Sequence, residues 1–273
     1  MAYLARHGYF SKPRVDHVII PEPLHKDQIC LGHRGVWWSE VETRGAIAHG
    51  SMPFLGDSAI RHMSAFLQEL ETELYPALSK KQTQMPVIPP GARSSTLNIN
   101  SLHGGQDEGH HGLPSPCVAD SCRIVLDRRF LIEEPLQDVK QEIVEILENL
   151  RKTRENFEYE LKDLLEVLPV MAEKDSPVAR AVAGGIRDVL QKDASYVVSP
   201  GTYDQKHITR LGHLHDCIAY GPGELEMAHR PDEFVGIEDL VDSAKVMALA
   251  AYSLLTEANT KQTTTTLPEH VHS

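Results

Sequence analysis

Cysteine is scarce in this sequence of 273 residues, and its four cysteines form no CxxC pair. They are Cys30, Cys117, Cys122 and Cys217. Cys117 and Cys122 lie five residues apart on a predicted strand, so their side chains are expected to point to opposite faces. This usage argues against a disulfide framework and predicts a reducing, cytoplasmic environment.

Basic charge and long apolar runs are also lacking. Lys and Arg total 27 against 39 Asp and Glu, which gives a net charge of -12 and disfavours nucleic acid or an anionic membrane surface as partner. No run approaches the roughly 20 apolar residues of a membrane span. The first residues, MAYLARHGYFSKPR, lack the apolar core of a secretory signal. We therefore expect no nucleic acid and no membrane partner.

The remaining composition is that of an ordinary globular protein, with 41% hydrophobic and 24% charged residues. The length suits one large domain or two modest ones. The count of 15 histidines is high for this length, which is compatible with metal binding but does not establish it.

The most informative stretch runs from residue 199 to 233 and ends at a histidine beside two acids. Residues 217–220 read as a short buried strand that stops at Gly221-Pro222-Gly223. Ligand sites of open α/β sheets lie just past the carboxyl ends of strands, which would place His229 on a loop at such an end. A surface loop with an incidental histidine is an equally good interpretation of the spacing alone.

Two other candidate site residues lie in loops bounded by prolines or glycines. Glu22 follows a predicted strand over residues 15–20 and is held between two prolines, as a metal-ligating carboxylate would be. His49 lies in a loop with Gly45 and Gly50 on either side, where it could be presented to a site. An ordinary turn glutamate and a histidine satisfied within its own turn are the alternatives.

The hydrophobic pattern predicts a β-α-β-β-α-β order between residues 34 and 167, which is a ferredoxin-like split arrangement. In the first strand Val36, Trp38 and Val41 are expected on the covered face. The first helix is expected to be capped by Asp57 or Ser58. The predicted strands cover 34–43, 96–102, 118–130 and 157–167; the predicted later helices cover 176–192 and 238–256. A polar loop at 106–116 is expected to be mobile.

Several motifs in combination resemble one family. They are VDHVIIPEP, GHRGVWWSEVETRGAIAHGSMPFLGDSAI, STLNINSLHGG, DSCRIVLDRR, SPGTYDQ, AYGPGE and AHRPDE. The chain resembles, over residues 14–255, the zinc-dependent amidohydrolases and metallopeptidases that include acetylornithine deacetylase, succinyl-diaminopimelate desuccinylase, aminoacylase and glutamate carboxypeptidase. The resemblance implies an α/β fold with a lid or dimerisation domain at 34–167, a partial catalytic domain at 1–33 and 168–258, and a disordered tail at 259–273.

The resemblance also implies roles for single residues. Glu22 and His229 match ligands of a paired zinc site, in which two metals are bound. His49 matches a lid histidine that reaches a neighbouring subunit's site and stabilises an oxyanion. Arg129 matches an arginine that clamps a substrate carboxylate. The matched positions in loops beside the substrate are Gly221, Gly223, Thr202 and Asp204. The implied reaction is cleavage of the amide of an N-acyl amino acid or peptide-like substrate by a homodimer joined through the lid.

The sequence departs from the family's pattern in its missing metal and base motifs. The family's His-x-Asp, bridging Asp and Glu-Glu pair have no counterpart, since His25-Lys26-Asp27 and Glu133-Glu134 stand at the wrong places. Pro116 replaces an expected lid asparagine. We therefore expect a truncated chain with impaired activity that binds zinc weakly or not at all by itself. The alternatives are a non-catalytic dimerisation module and a half-enzyme completed by a separate N-terminal chain.

Overall fold

The computed structural model describes residues 1–105 and 116–264. The predicted loop at 106–116 therefore lies, apart from Pro116, outside the described residues, as does the end of the predicted tail. The helices and strands in chain order are α1 (Ala2–Arg6), β1 (Val18–Ile20), β2 (Gln28–His33), β3 (Gly35–Arg44), α2 (Ala59–Glu69), α3 (Tyr75–Lys80), β4 (Thr96–Gly104), β5 (Ser121–Phe130), α4 (Leu136–Thr153), β6 (Glu158–Val167), β7 (Val170–Met171), α5 (Pro177–Leu190), β8 (Ser195–Ser199), α6 (Gln205–Leu211), β9 (Cys217–Ala219) and α7 (Ile237–Thr264).

The chain divides into two compact units. Unit 1 contains Met1–His33, Met85–Gly91 and the chain from Val170 onward, and unit 2 contains Arg34–Gln84 and Ala92–Pro169. The segment Met85–Gly91 falls inside the predicted lid but belongs to unit 1. The physical reason is a sheet contact, because the Val198 N–H donates to the Pro86 carbonyl at 2.8 Å.

Unit 2 is the ferredoxin-like module that the hydrophobic pattern predicts. Its four strands form an antiparallel sheet in the order β4-β5-β3-β6. The core is formed by apolar side chains of the sheet and helices: Trp37, Val41, Met63, Phe66, Ile124, Leu126, Phe130, Val139, Ile143 and Leu147. Helix α2 begins as predicted, since the Ser58 hydroxyl accepts the Arg61 N–H.

Of the three residues predicted on the covered face of β3, Val36 and Val41 are buried and Trp38 is only half-buried. Trp37, not Trp38, is fully buried, together with Val41 and Thr43 on the same face. The Trp37 indole donates Nε1–H to Asp163 of β6 at 2.6 Å, so the one polar atom of this side chain is satisfied. Alternation in the sequence cannot decide which of two adjacent tryptophans turns inward, because that choice depends on the partner strand.

Two boundaries also differ. β5 begins at Ser121 rather than 118, because Val118 donates to the Ala48 carbonyl in a loop and the Ala119 carbonyl accepts the Ala59 N–H at the start of α2. Helix α7 runs to Thr264, past residue 256, where its predicted end lies, and into the range 259–273 predicted as tail.

Unit 1 contains a second sheet in the order β1-β9-β2-β7, with β8 paired to β2. Helices α5 and α7 pack against it through buried apolar side chains: Ile29, Val178, Val182, Ile186, Ile218, Val246 and Ala250. Helix α5 is capped by Ser176, and its Val178 N–H also reaches the Asp216 carboxylate. Among the described helices none is both long enough and apolar enough to cross a membrane.

Candidate functional site

The candidate site of unit 1 lies where β1 and β9 end. These strands are parallel neighbours, with Ile20 opposite Ala219. Glu22 and Gly221 therefore leave the sheet side by side, and a Cβ added to Gly221 would lie 2.6 Å from the Glu22 carbonyl oxygen. The absence of a side chain at Gly221 lets the two backbones make this approach. Parallel strand ends thus place a carboxylate against a glycine turn, as expected for an α/β ligand site.

The environment of Glu22 is the strongest electrostatic signal of the site. Burial raises the pKa of Glu22, and the negative charge of Asp204 raises it further. The charges of His229 and Lys206 act in the opposite direction and lower that pKa. Side chains from two separate segments, the start of α6 and the loop of His229, therefore act on this half-buried carboxyl group, although His229 lies 207 residues from Glu22 in the sequence.

Asp204 and Lys206 flank the start of α6. Asp204 occupies the position before the helix, yet its side chain makes no capping hydrogen bond, so its carboxylate is not used for helix initiation. Burial lowers the pKa of Lys206, while Asp204 and Glu22 counteract that effect. Its ammonium group donates to the Tyr203 carbonyl at 3.1 Å. Lys206 was not among the predicted site residues, although its position two residues after Asp204 could have indicated that it lies near the site.

The loops that follow β9 adopt backbone conformations that few residues accept. Gly223 has a φ of +96° and its carbonyl accepts the His25 N–H at 2.7 Å. His229 has a φ of +65°, and its backbone N–H donates to the Glu233 carboxylate at 3.1 Å. The predicted residue Thr202 is half-buried in the loop before α6. The structure thus brings Glu22, Asp204, Gly221 and His229 to one region of unit 1.

Two buried groups behind the site are unsuited to nucleophilic chemistry. Burial raises the pKa of the Cys30 thiol to about 12, which leaves it protonated near neutral pH. Burial likewise raises the pKa of Tyr203, and the neighbouring Cys30 and Glu22 contribute to that rise. The carboxyl group of Glu22, rather than the Cys30 thiol, is therefore the candidate for a chemical role at this site.

The fit of a metal to this region is incomplete. A hydrolytic zinc site uses about three protein ligands and an open position. Glu22 and His229 provide two donors of the appropriate chemistry. Within residues 1–105 and 116–264 no group of three or more His, Cys, Asp or Glu side chains is arranged to hold a metal ion. The described residues alone therefore do not complete such a site.

Unit 2 carries the other two predicted site residues. His49 is exposed and its Nδ1 accepts the Ser51 N–H at 3.2 Å. Because that nitrogen serves as an acceptor, the neutral ring carries its proton on Nε2 and can donate from there. The same loop lines a cavity of about 500 Å³ together with Gly104, Gly105 and Cys117.

Arg129 has a partner that the sequence analysis did not foresee. Its Nε donates to Asp127 Oδ1 at 2.6 Å and a terminal nitrogen donates to Oδ2 at 2.9 Å. Residues two apart on a strand share a face, so the sequence held a signal for this pair. A substrate carboxylate that binds Arg129 must therefore compete with Asp127 for the guanidinium.

The charge balance at Glu22 leads to a prediction for the metal-free protein. Asp204→Asn is expected to lower the pKa of Glu22, whereas Lys206→Met is expected to raise it. Carboxyl ¹³C chemical shifts followed against pH measure both changes. A raised folded-state pKa stabilises the fold below the ordinary pKa of glutamate, and this contribution is lost as the pH rises through the folded value. Asp204→Asn should diminish that loss, and shifts of the same sign in both variants would contradict the arrangement.

Comparison with known proteins adds independent information. Residues 31–155 match the family model described as peptidase dimerisation domain. The chain is 28% identical over 237 residues to acetylornithine deacetylase of Myxococcus xanthus, covering 87% of this chain and 57% of the relative. It is 27% identical to N-formyl-4-amino-5-aminomethyl-2-methylpyrimidine deformylase of Bacillus subtilis, covering 81% of this chain and 54% of the relative. The chain thus spans less than two thirds of these relatives.

Solved structures share the fold. Aminopeptidase PepT from Bacillus cereus superposes with a TM-score of 0.68 at 16% identity, over 93% of this chain and 61% of that structure. Human carnosine dipeptidase 1 gives a TM-score of 0.69 at 16% identity, over 93% of this chain and 62% of that structure. An M20 family metallo-carboxypeptidase from Sulfolobus solfataricus gives a TM-score of 0.62 at 17% identity, over 92% of this chain and 65% of that structure. The expected fold class is confirmed by these likenesses.

Proposed function

Because residues 31–155 match a peptidase dimerisation domain and the chain is similar to acetylornithine deacetylase, we propose that it belongs to the metal-dependent amidohydrolases and peptidases and takes part in hydrolysis of the amide bond of an N-acyl amino acid or peptide-like substrate. The observation that carries this proposal is the position of Glu22. It follows a parallel strand end, its backbone touches Gly221, and its carboxyl group lies in the fields of Asp204, Lys206 and His229.

We assign to Glu22 and His229 the role of metal ligands, and zinc is the proposed metal. A carboxylate oxygen and an imidazole nitrogen are ligands that zinc accepts. Since these two donors do not complete a hydrolytic site, the chain by itself is expected to hold zinc weakly and to have low activity. Thr202, Asp204, Gly221 and Gly223 are assigned to the loops beside the substrate.

The residues of unit 2 have proposed roles in a homodimer. His49, with its proton on Nε2, is suited to donate a hydrogen bond to the oxyanion that forms when the amide carbonyl is attacked, in the site of a second subunit. Arg129 is suited to a substrate carboxylate, because a guanidinium binds carboxylates with two parallel hydrogen bonds. Asp127 takes Nε and one terminal nitrogen of Arg129, so a substrate carboxylate must displace it to bind both of these groups.

Zinc titration and hydrolysis assays test the proposal. Glu22→Gln and His229→Asn are each expected to weaken zinc binding by roughly tenfold or more, because loss of one of few ligands cannot be compensated. Glu173→Gln, at an exposed position, is the matched control. Hydrolysis of N-acetylornithine, an N-formyl amine and a dipeptide is then followed with and without a chelator. Zinc binding or hydrolysis that survives both substitutions unchanged contradicts the proposal.

A second candidate function is a non-catalytic dimerisation module. It is favoured by the match of residues 31–155 to a dimerisation domain and by the two-donor metal region. Analytical ultracentrifugation at micromolar concentration distinguishes the outcomes when combined with the assays. A dimer without zinc-dependent hydrolysis supports the module, and a monomer counts against it.

A further inference from the structure

The loop that carries His49 is closed at its base by the backbone. We define the His49 loop as residues 46–57. At its base the Ala46 N–H donates to the Asp57 carbonyl and the Asp57 N–H donates to the Ala46 carbonyl, both at 2.8 Å. A Cβ added to Gly45 would lie 2.2 Å from the Asp57 carbonyl oxygen, so the two chain segments are in close contact. Because Asp57 is bonded to Ala46, a contact that fixes Asp57 also fixes both ends of the loop.

Apolar packing contributes little to holding this loop. Its large hydrophobic side chains point outward, with Phe54 exposed by 79%, Leu55 by 66% and Ile47 by 53%. Loops with little buried apolar surface open readily unless polar contacts restrain them. The restraints on the loop are therefore mainly hydrogen bonds. They lie at the base, at the contacts of Asp57, and in the middle of the loop, where Gly50 N–H donates to the Pro116 carbonyl and Val118 N–H donates to the Ala48 carbonyl, both at 2.8 Å.

Asp57 is held by a chain of two further side chains, the buried His62 and the half-buried Arg154. Its carboxylate oxygen Oδ2 lies 2.9 Å from His62 Nε2, and Arg154 Nε donates to His62 Nδ1 at 2.8 Å. The His62 side chain is only 3% exposed and meets the edge of the Phe157 ring at 5.5 Å between centroids. The chain links the His49 loop to α2 and to the turn between α4 and β6.

The direction of the hydrogen bonds determines the state of His62. A guanidinium has no acceptor, so Nδ1 must offer its lone pair to Arg154. The neutral ring consequently carries its proton on Nε2, where it donates to Asp57. Each side chain has one defined role. Arg154 donates to His62, His62 accepts at Nδ1 and donates from Nε2, and Asp57 accepts from His62. A hydrogen-bond network centred on a buried side chain, with defined donors and acceptors, favours a single arrangement.

We propose that Asp57, His62 and Arg154 form a clamp that positions the His49 loop, and that His62 is a positioning residue for His49. The clamp itself depends only on unit 2. Its consequence for catalysis rests on the proposed function, in which His49 must meet the oxyanion within a few tenths of an ångström. Loss of the clamp would then lower the rate more than the substrate affinity, because His49 acts on the transition state.

Amide hydrogen exchange of the full chain tests the clamp. His62→Leu is expected to raise exchange at the Ala46 and Asp57 amides roughly tenfold through local opening. His62→Gln can donate to Asp57 and accept from Arg154, so it should restore most of the protection. Leu147→Ala, a buried change in the same unit, controls for general destabilisation. Unchanged exchange at the loop base in His62→Leu, or failure of Gln to rescue it, would overturn the proposal.

Imidazole ¹⁵N spectra give a second readout that general destabilisation does not imitate. Wild-type His62 should show a protonated Nε2 and an unprotonated, hydrogen-bonded Nδ1, and Arg154→Met should alter the Nδ1 signal. The opposite tautomer would refute the clamp. Where hydrolysis is detectable, kcat should fall in His62→Leu with little change in KM. If the wild-type chain hydrolyses no amide, the proposed function fails, whereas exchange and ¹⁵N spectra still decide the clamp.

Discussion

Replacing Arg128 with methionine is expected to lower the free energy of unfolding of unit 2 by about 3–5 kcal/mol. The Arg128 side chain is fully buried, and it donates to Glu134 at 2.9 Å and to Glu142 at 3.0 Å. Its other terminal nitrogen donates to the Arg129 carbonyl at 2.7 Å. Methionine fills similar space but removes the buried positive charge, so that Lys81, which also pairs with Glu134 and Glu142, is left as their remaining cationic partner.

The behaviour of Glu134 shows how much this network depends on Arg128. Burial by itself raises the pKa of Glu134, but the Arg128 charge, the Leu131 N–H and the Ser95 hydroxyl outweigh it, so the pKa lies below its ordinary value. A lowered pKa stabilises the fold above the ordinary pKa of glutamate, and this stability is lost as the pH falls through the folded value. The Arg128→Met variant should therefore lose part of this acid sensitivity along with its stability.

Urea unfolding followed by tryptophan fluorescence measures this effect in unit 2 alone. Both tryptophans of the sequence, Trp37 and Trp38, lie in β3 of that unit. Arg151→Met is the matched control, since Arg151 is about half exposed and its pairs with Glu148 and Glu158 are long, at 3.7 Å each. The control should change stability by roughly 0.5 kcal/mol or less. Equal losses in the two variants would show that Arg128 acts as an ordinary surface arginine.

Gly221→Ala is expected to disturb the candidate metal region more than any other single methyl group added there. The new Cβ would lie 2.6 Å from the Glu22 carbonyl oxygen and 3.0 Å from its nitrogen, both backbone atoms that cannot rotate away. Overpacking of this kind costs about 1–3 kcal/mol and moves the backbone that carries the carboxylate. We expect lower stability of unit 1 and weaker zinc binding, as well as a shifted titration of Glu22.

Gly184→Ala provides the matched control within the same unit. A Cβ at Gly184 meets no atom within 4 Å, and the residue lies in the interior of α5. Alanine is preferred over glycine in helices by about 0.8–1.0 kcal/mol, so this variant should be slightly more stable than the wild type. Circular dichroism and calorimetric zinc titration compare the two. A Gly221→Ala protein that matches Gly184→Ala in both measurements would contradict the close approach of β1 and β9.

Much of the fold was predictable because it follows from short-range pattern. The β-α-β-β-α-β order of unit 2 and the capping of α2 by Ser58 were both read from periodicity and capping chemistry. The family resemblance rests on motifs in strands and in the loops that follow them, and the comparisons support it. The expected sheet-end position of Glu22 likewise came from proline punctuation after an apolar run.

The contacts of the site residues were not predictable, because they join residues far apart in the chain. Lys206 and Asp204 act on Glu22 across more than 180 residues of sequence, and Arg154 reaches His62 across 92. Asp127 occupies Arg129, which the sequence alone assigned to substrate. Glu133-Glu134 were set aside as standing at the wrong place for the family's Glu-Glu pair, and local pattern gave no sign that Glu134 is a main partner of buried Arg128.

The sequence by itself determined the element order of unit 2, the family resemblance and the list of residues able to do chemistry, because these depend on side-chain type and local spacing. Only the tertiary structure decided which tryptophan enters the core, which strand ends adjoin, and which charges meet at Glu22. Those outcomes follow from strand register and helix packing. A shift of one residue in register turns a side chain to the opposite face, and local pattern does not specify the partner strand.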